Sequence, residues 1–177
     1  MTYYGAAELA ASFRQVRANT IQVAEDIPEA HYGFMPAPET RTVGQTLTHM
    51  AVASRLQLFV QGQRVTDLKD IDFGPRLQEL AIEEGRPRTK GEIVALLRSE
   101  GEQFATFLET LPESALGERV TLMPWVHPST KSRFEMLLGI KEHEMHHRAQ
   151  LMVMERMLGI IPHLTRQAAE RIAQAAR

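Results

Sequence analysis

Apolar side chains recur every three or four residues in four long segments of this 177-residue chain. That spacing places them on one face of an α-helix. The first segment runs from Leu9 to Ile27 and is ended by Pro28, which lacks the backbone N–H that a continuing helix needs. Runs of alternating polar and apolar residues, which are typical of strands, are missing. The sequence therefore predicts an all-α protein.

The three other helices begin with capping boxes, in which side chains satisfy free backbone N–H groups at a helix start. Each has a Thr or Ser followed three residues later by Gln or Glu: Thr42 and Gln45, Thr89 and Glu92, Ser132 and Glu135. We expect the second helix to reach about Gln61 and the third to end after Leu111. The fourth is expected to reach about Leu158, with Gly159 as its C-cap.

Two long connections, residues 62–88 and 112–131, separate these helices and show no strong period. Residues 77–84 are expected to hold a helical turn or two, and a short terminal helix is expected over residues 166–175. Long connections permit helix orders other than simple up-down-up-down. The predicted fold is a four-helix bundle with long crossover connections and a short C-terminal helix, forming a single domain over residues 1–177.

Composition excludes several classes of function. The chain has no cysteine, which rules out disulfides, thiolate metal ligands and a cysteine nucleophile. A net charge of -2 without a basic cluster gives no reason to expect nucleic-acid binding. No segment is apolar enough to cross a bilayer, and the first fifteen residues lack the basic and apolar regions of a signal peptide. We therefore expect a cytoplasmic protein that acts on a small-molecule substrate.

Three of the seven histidines lie between residues 142 and 147, and their spacing decides which can act together. His143 and His147 are four residues apart, so they project from the same face of the fourth helix, in an otherwise apolar line. His146 lies at the edge of that face. Burying two imidazoles side by side is costly without a shared partner. The pair is a candidate metal site, and the alternative is two hydrogen-bonded core histidines.

A metal ion needs at least one more protein ligand, and His49 on the buried second helix offers it. His49 lies in line with Gln45, Val52 and Leu56. Taken alone, a histidine on an apolar face is more often a hydrogen-bonded core residue, so its assignment depends on the pair in the fourth helix. Three imidazoles leave a divalent ion with open positions for water or substrate, as in catalytic metal sites. Imidazole ligands suit zinc and nickel equally.

Other residues are weaker candidates for the site. His31 and Tyr32, in the loop before the second helix, are candidates to face its open side. His127 and His163 fall in predicted loops and are expected to be ordinary polar residues. For His127, which lies close to Trp125, lining the mouth of a pocket is the alternative.

Residues 143–147 also match H-E-x-x-H, the signature of zinc metallopeptidases, in which the Glu is the general base. Here that residue would be Glu144. The longer form of the signature requires a Gly and a His shortly afterwards, and neither follows. Glu144 also lies about 100° around the helix from His143, so we expect it to point away from the ion. A metallopeptidase is therefore a less favoured alternative.

Residues 26–36, 42–49 and 143–151 closely resemble the DinB/YfiT-like superfamily of small bacterial four-helix metalloproteins. The resemblance covers nearly the whole chain, and its most specific part is His-x-x-x-His-Arg-x-Gln with a single His in the second helix. It places the metal triad of the family on His49, His143 and His147. The more usual Arg-Gly-Gln after the last ligand is Arg-Ala-Gln here. The resemblance also implies a non-sequential helix order and often a homodimer.

Related members of that superfamily include bacillithiol S-transferases and mycothiol-dependent isomerases. Since the chain has no cysteine, a thiol nucleophile would have to come from a low-molecular-weight thiol as co-substrate. The leading hypothesis is a zinc- or nickel-dependent small-molecule enzyme, a thiol S-transferase or a hydrolase. The alternative is a non-catalytic, dimeric metal-binding protein of stress response or interaction. His146, Gln150 and Arg148 are candidates to support the ligands. Gln150 and Arg148 are also candidates for dimer contacts, and the alternative for both is surface or inter-helix packing.

Overall fold

The computed structural model describes residues 4–176, in which the four predicted helices form the bundle. The helices are α1 (Ala6–Asp26), α2 (Val43–Val52), α3 (Ser54–Gln63), α4 (Gly74–Gly85), α5 (Lys90–Glu109), α6 (Glu113–Leu116), α7 (Arg133–Met157) and α8 (His163–Ala175). Two single 3-10 turns lie at Glu29–His31 and Leu68–Asp70. The strands β1 (Arg119–Thr121) and β2 (Thr130–Ser132) form a small antiparallel sheet. The predicted all-α fold is thus confirmed.

The capping boxes form as predicted at the starts of α2, α5 and α7. In α2 the N–H of Gln45 donates to Thr42 Oγ1 at 3.2 Å, and the N–H of Thr42 donates to Gln45 Oε1 at 2.9 Å. The prediction of one helix from there to Gln61 is wrong, because the helix is interrupted at Ala53. Ala53 keeps right-handed helical dihedral angles and its N–H still donates to the carbonyl of His49 at 3.0 Å. The interruption is therefore local.

The helix order around the bundle is not sequential. Both α1 and α2 pack against α5, and both also pack against α7. The first two long helices therefore lie diagonally opposite each other, separated by the other two. A phenylalanine pair fastens one end of the bundle, with the rings of Phe13 and Phe104 edge to face and their centroids 4.9 Å apart. Among residues 4–176, no helix combines the length and apolarity that a bilayer-spanning segment requires.

The two long connections are more ordered than the sequence predicts. α4 has 12 residues, about three turns instead of one or two. Each strand of the sheet has only three residues, too few for an alternating pattern to be recognised, so the expectation of no strands is wrong there. Thr121 in β1 also pairs with Asp67, so the sheet joins one long connection to the other. Together they cover one side of the bundle.

The last helix begins three residues earlier than predicted, at His163, directly after Pro162. His163 is therefore not a loop residue, and its side chain is buried instead of being an ordinary polar surface group. Its Nε2 lies 3.4 Å from Asn19 Oδ1 on α1. At the preceding turn, Gly159 has a φ of 79°, the left-handed conformation expected of a C-cap glycine.

Candidate metal centre

Three histidine side chains converge between α2 and α7. His143 Nε2 lies 3.0 Å from His49 Nε2 and 3.1 Å from His147 Nε2. One nitrogen from each ring can be chosen so that all three lie within 4.8 Å of one another. Two nitrogens about 2.1 Å from one tetrahedral ion would be roughly 3.4 Å apart. The spacing therefore suits a single divalent ion held by all three rings.

The opposite nitrogens of two of these rings are committed to neighbouring side chains. The Nδ1–H of His49 donates to Glu84 Oε1 at 2.8 Å, and that of His147 donates to Gln150 Oε1 at 2.8 Å. These bonds leave both Nε2 atoms as acceptors directed at the centre. His143 Nε2 carries one proton at most, so it can donate a hydrogen bond to only one of these two Nε2 atoms. At least one lone pair faces the centre without a proton, which is the arrangement that a cation fits.

Burial favours the neutral form of two of these imidazoles. Burial, reinforced by the neighbouring histidines His147 and His49, lowers the pKa of His143 to about 4. Burial also lowers the pKa of His147, against the opposing effect of the hydrogen bond to Gln150. Neutral imidazole is the form that donates a lone pair to a metal ion. The electrostatics of the site therefore favour the ligand form of both rings near neutral pH.

Glu84 is a site residue that the sequence did not indicate. Glu84 lies on α4 and accepts a hydrogen bond from His49. Its other oxygen, Oε2, lies 3.7 Å from Arg41 Nη2. A carboxylate behind a ligating histidine orients the ring and makes it more basic. The only sequence signal for Glu84 was its place at the end of residues 77–84, and that stretch was expected to hold no more than two turns.

His146 and Gln150 form the outer edge of the site. The Nε2 of Gln150 lies 3.2 Å from His146 Nε2 and donates to it, while its Oε1 accepts from His147. His146 therefore supports the amide that supports a candidate ligand. Arg148 is half-buried and instead donates to the carbonyl of Val16 on α1 at 3.3 Å, so it packs between helices.

Glu144 points away from the histidine centre, as expected, and toward α1. Its carboxylate oxygens accept from Arg17 Nε at 2.8 and 3.0 Å, and both side chains are buried. Arg17 also donates to the carbonyls of Leu97 and Met50. A carboxylate held in this way does not reach the histidine centre, so Glu144 does not supply the general base that the metallopeptidase alternative requires.

Two cavities adjoin the histidines. One, of about 610 Å³, is lined by His49, His143 and Glu84 at one end and by apolar side chains from α3, α4, α7 and the β1–β2 loop. The other, of about 760 Å³, is lined by His147, Gln150 and Arg41. Both volumes fall within the usual range of small-molecule sites, about 300–1,000 Å³. A ligand of the candidate ion therefore has room on either side.

The remaining sequence candidates lie away from these cavities. Tyr32 is buried, and its hydroxyl donates to the carbonyl of Ala24 at 2.8 Å. Burial raises the pKa of this hydroxyl well above its usual range. His31 is exposed, and neither residue lines either cavity. His127 is exposed too, whereas its neighbour Val126 lines the 610 Å³ cavity.

The fold and the triad together define a four-helix bundle with a three-histidine centre that could hold a metal ion. The sequence profile of the DinB superfamily matches residues 12–151, and the chain belongs to that superfamily. The predicted resemblance is thus confirmed. No curated protein sequence matches the chain.

Solved structures show the same fold. A DinB-like protein from Bacillus subtilis is 21% identical, with a TM-score of 0.62 over 86% of this chain and 92% of that one. A protein from Clostridium difficile 630 is 13% identical, with a TM-score of 0.65 over 88% and 98%. A protein from Streptococcus pneumoniae is 16% identical, with a TM-score of 0.65 over 88% and 93%.

Proposed function

We propose that this protein is a divalent-metal-dependent enzyme acting on a small molecule, either a thiol S-transferase or a hydrolase. The observation that carries the proposal is the convergence of three imidazoles at one end of a 610 Å³ cavity. His49, His143 and His147 are the proposed ligands. Zinc and nickel are the proposed metals, because imidazole suits both.

Three histidines leave coordination positions open, which distinguishes a catalytic metal site from a closed structural one. When bound, the ion would supply Lewis acidity to an oxygen or sulfur ligand of a substrate. Since the chain has no cysteine, a thiol nucleophile would be a low-molecular-weight co-substrate. No side chain of the 610 Å³ cavity offers one.

The protein's own residues orient the ligands and complete the cavity. Glu84 and Gln150 hold the rings of His49 and His147 by their Nδ1 protons. The Glu84 carboxylate lies in the wall of the cavity, and it accepts a hydrogen bond from the candidate ligand His49. We propose that this carboxylate stabilises the positive charge that His49 gains when it binds the ion, and that it does not act on the substrate directly.

Metal analysis of the purified protein beside His49→Ala tests the ligand set. We expect one zinc or nickel per chain in the wild type and a large loss in the variant, because a two-histidine site on one helix binds far more weakly. Unchanged metal content in His49→Ala would contradict a site shared between α2 and α7. Circular dichroism of both proteins checks that the helices persist.

Turnover decides between an enzyme and a non-catalytic metal-binding protein. The metal-loaded protein would be assayed with low-molecular-weight thiols and model electrophiles, and separately with model esters and amides. Thiol-dependent product supports the transferase, and thiol-independent product supports the hydrolase. A fully loaded protein that turns over neither set would support the non-catalytic alternative and overturn the enzyme proposal.

We also propose that the chain forms a homodimer. Support comes from an exposed apolar line on α7 formed by Met145, Val153 and Met157, at 43%, 57% and 55% exposure. Two other methionines of α7, the buried Met154 and the half-buried Met152, pack in the core. Sedimentation equilibrium of the wild type and Val153→Glu measures the mass directly. A monomeric wild type would refute the dimer.

A further inference from the structure

Gly139 is a glycine inside α7, one helical turn before His143. A glycine in a helix interior costs about 0.5–1 kcal/mol relative to alanine, so its position is informative. Residues four apart lie on the same face of a helix, and Gly139 and His143 both line the 610 Å³ cavity. A Cβ built on Gly139 would meet no atom within 4 Å. The missing side chain therefore leaves open space directly beside a candidate metal ligand.

The cavity beside Gly139 has a polar end and largely apolar walls. Its polar groups at one end are His49, His143 and Glu84, and the last of these is already engaged by His49. Its walls are largely apolar and include Leu56, Leu68, Leu80, Leu122, Met136 and Ile140. The remaining charges at its edge, Lys131 and Glu135, are of opposite sign. With Glu84 they sum to one net negative charge on a largely apolar lining, which does not favour an anionic tail.

We propose that this cavity binds the apolar body of a small-molecule substrate whose single polar head reaches the histidine centre, and that Gly139 determines the size of that body. The inference rests on the proposed metal-dependent function and names the substrate class of the same site. Burial of hydrocarbon supplies most of the binding free energy, and the head supplies orientation. Side chains larger than hydrogen at position 139 shorten the space available beside His143.

Alkyl hydroxamic acids of increasing chain length are suitable probes, because the hydroxamate head ligates divalent metals and only the tail changes. Each buried methylene contributes about 0.8 kcal/mol, which is about a fourfold decrease in Kd. Octanohydroxamic acid has six more methylenes than acetohydroxamic acid and should bind the metal-loaded protein on the order of a thousandfold more tightly. Calorimetry gives the two dissociation constants.

The variant Gly139→Leu should weaken binding of octanohydroxamic acid at least tenfold more than it weakens binding of acetohydroxamic acid. Gly139→Ala is a smaller change, and its affinity for octanohydroxamic acid should lie between those of Gly139→Leu and the wild type. Gly62→Leu is the matched control, because Gly62 also lies in a helix, would meet no atom within 4 Å, and does not line the cavity. It should bind both probes as the wild type does.

Binding of 1-octanol to the metal-free protein separates this inference from the proposed function. Calorimetry measures this binding, as it does for the hydroxamates. Octanol binding that Gly139→Leu abolishes supports the cavity even if the protein binds no metal. Loaded protein with equal affinity for both hydroxamates, or tail binding insensitive to Gly139→Leu, would overturn the inference and leave the metal site standing. Failure of octanol and of both hydroxamates to bind would overturn it as well.

Discussion

Arg17 and Glu144 form an ion pair across the centre of the bundle, with side-chain exposures of 4% and 2%. The pair joins α1 to the helix that carries two of the candidate ligands. Arg17 passes close to α5, because a Cβ on Gly101 would lie 2.7 Å from its Cγ. The one acidic residue inside the H-E-x-x-H pattern therefore has a structural role that a short sequence pattern does not reveal.

Glu144→Gln tests that role. Loss of the charge leaves the Arg17 guanidinium buried without a counter-charge, which typically costs about 3–5 kcal/mol. We expect a decrease of that order in the free energy of unfolding, measured in urea, with metal content unchanged. Glu102→Gln is the control, since Glu102 pairs with Arg14 at the exposed surface and such pairs contribute little. Full stability of Glu144→Gln together with lost activity would instead favour the metallopeptidase alternative.

Two adjacent histidines on α7 give a matched test of the metal site. His147 directs its Nε2 to the centre, whereas His146 is bonded to Gln150 at the edge. We expect His147→Ala to lose metal affinity by at least a hundredfold and His146→Ala to retain it within about tenfold, the lower range for residues that support a ligand. Competition with a chromophoric chelator measures both. Equal losses in the two variants would argue against the assigned triad.

Glu84 is expected to tune the affinity of the site from outside it. Glu84→Ala removes the acceptor of the His49 proton, and such changes typically lower metal affinity about 10–100-fold. Glu84→Gln keeps an acceptor without the charge, so its loss should be smaller. Glu79→Gln on the same helix is the control, because Glu79 pairs with Arg76 and does not line the 610 Å³ cavity. If all three proteins matched the wild type in the chelator assay, the carboxylate would have no influence on the ion.

The bundle and the proximity of the three histidines were predictable because they depend on local patterns. The reciprocal hydrogen bonds of Thr42 and Gln45 lie within one helical turn, and the His143–His147 pair requires only helical spacing. His49 followed from its place on a buried face. Each of these signals is contained in a few consecutive residues.

The rest of the site depends on contacts between distant segments. Glu84 reaches His49 across 35 residues, and the helix that carries it lies in a connection with little periodicity. The cavity beside Gly139 exists only because α4 and the β1–β2 loop pack over α7. A glycine in a helical pattern gives no indication of what faces it, so sequence reasoning had no means of placing the cavity.

A buried carboxyl lies on α7, about two helical turns beyond His147. Glu155 is completely buried, and neither of its carboxylate oxygens has a hydrogen-bond partner among the described residues. Burial, reinforced by Asp26, raises its pKa from 4.5 to about 7, while Arg166 and Arg156 act in the opposite direction. The folded protein therefore holds a proton that the unfolded chain has already released between these two values.

Since the folded state binds more protons in that window, the free energy of unfolding falls as the pH rises from about 4.5 to 7 and levels off above. We expect Glu155 to account for about 1–3 kcal/mol of that decrease. Urea unfolding at pH 5.0 and 7.5 would compare the wild type with Glu155→Gln, which cannot titrate, and with Glu142→Gln at an exposed position of the same helix. Most of the pH-dependent decrease should be absent in the Glu155 variant, and the Glu142 variant should show all of it. Other groups, such as His163, titrate in all three proteins, so the difference between the proteins reports on Glu155. An identical decrease in all three would show that Glu155 is ionised in the folded protein at both pH values.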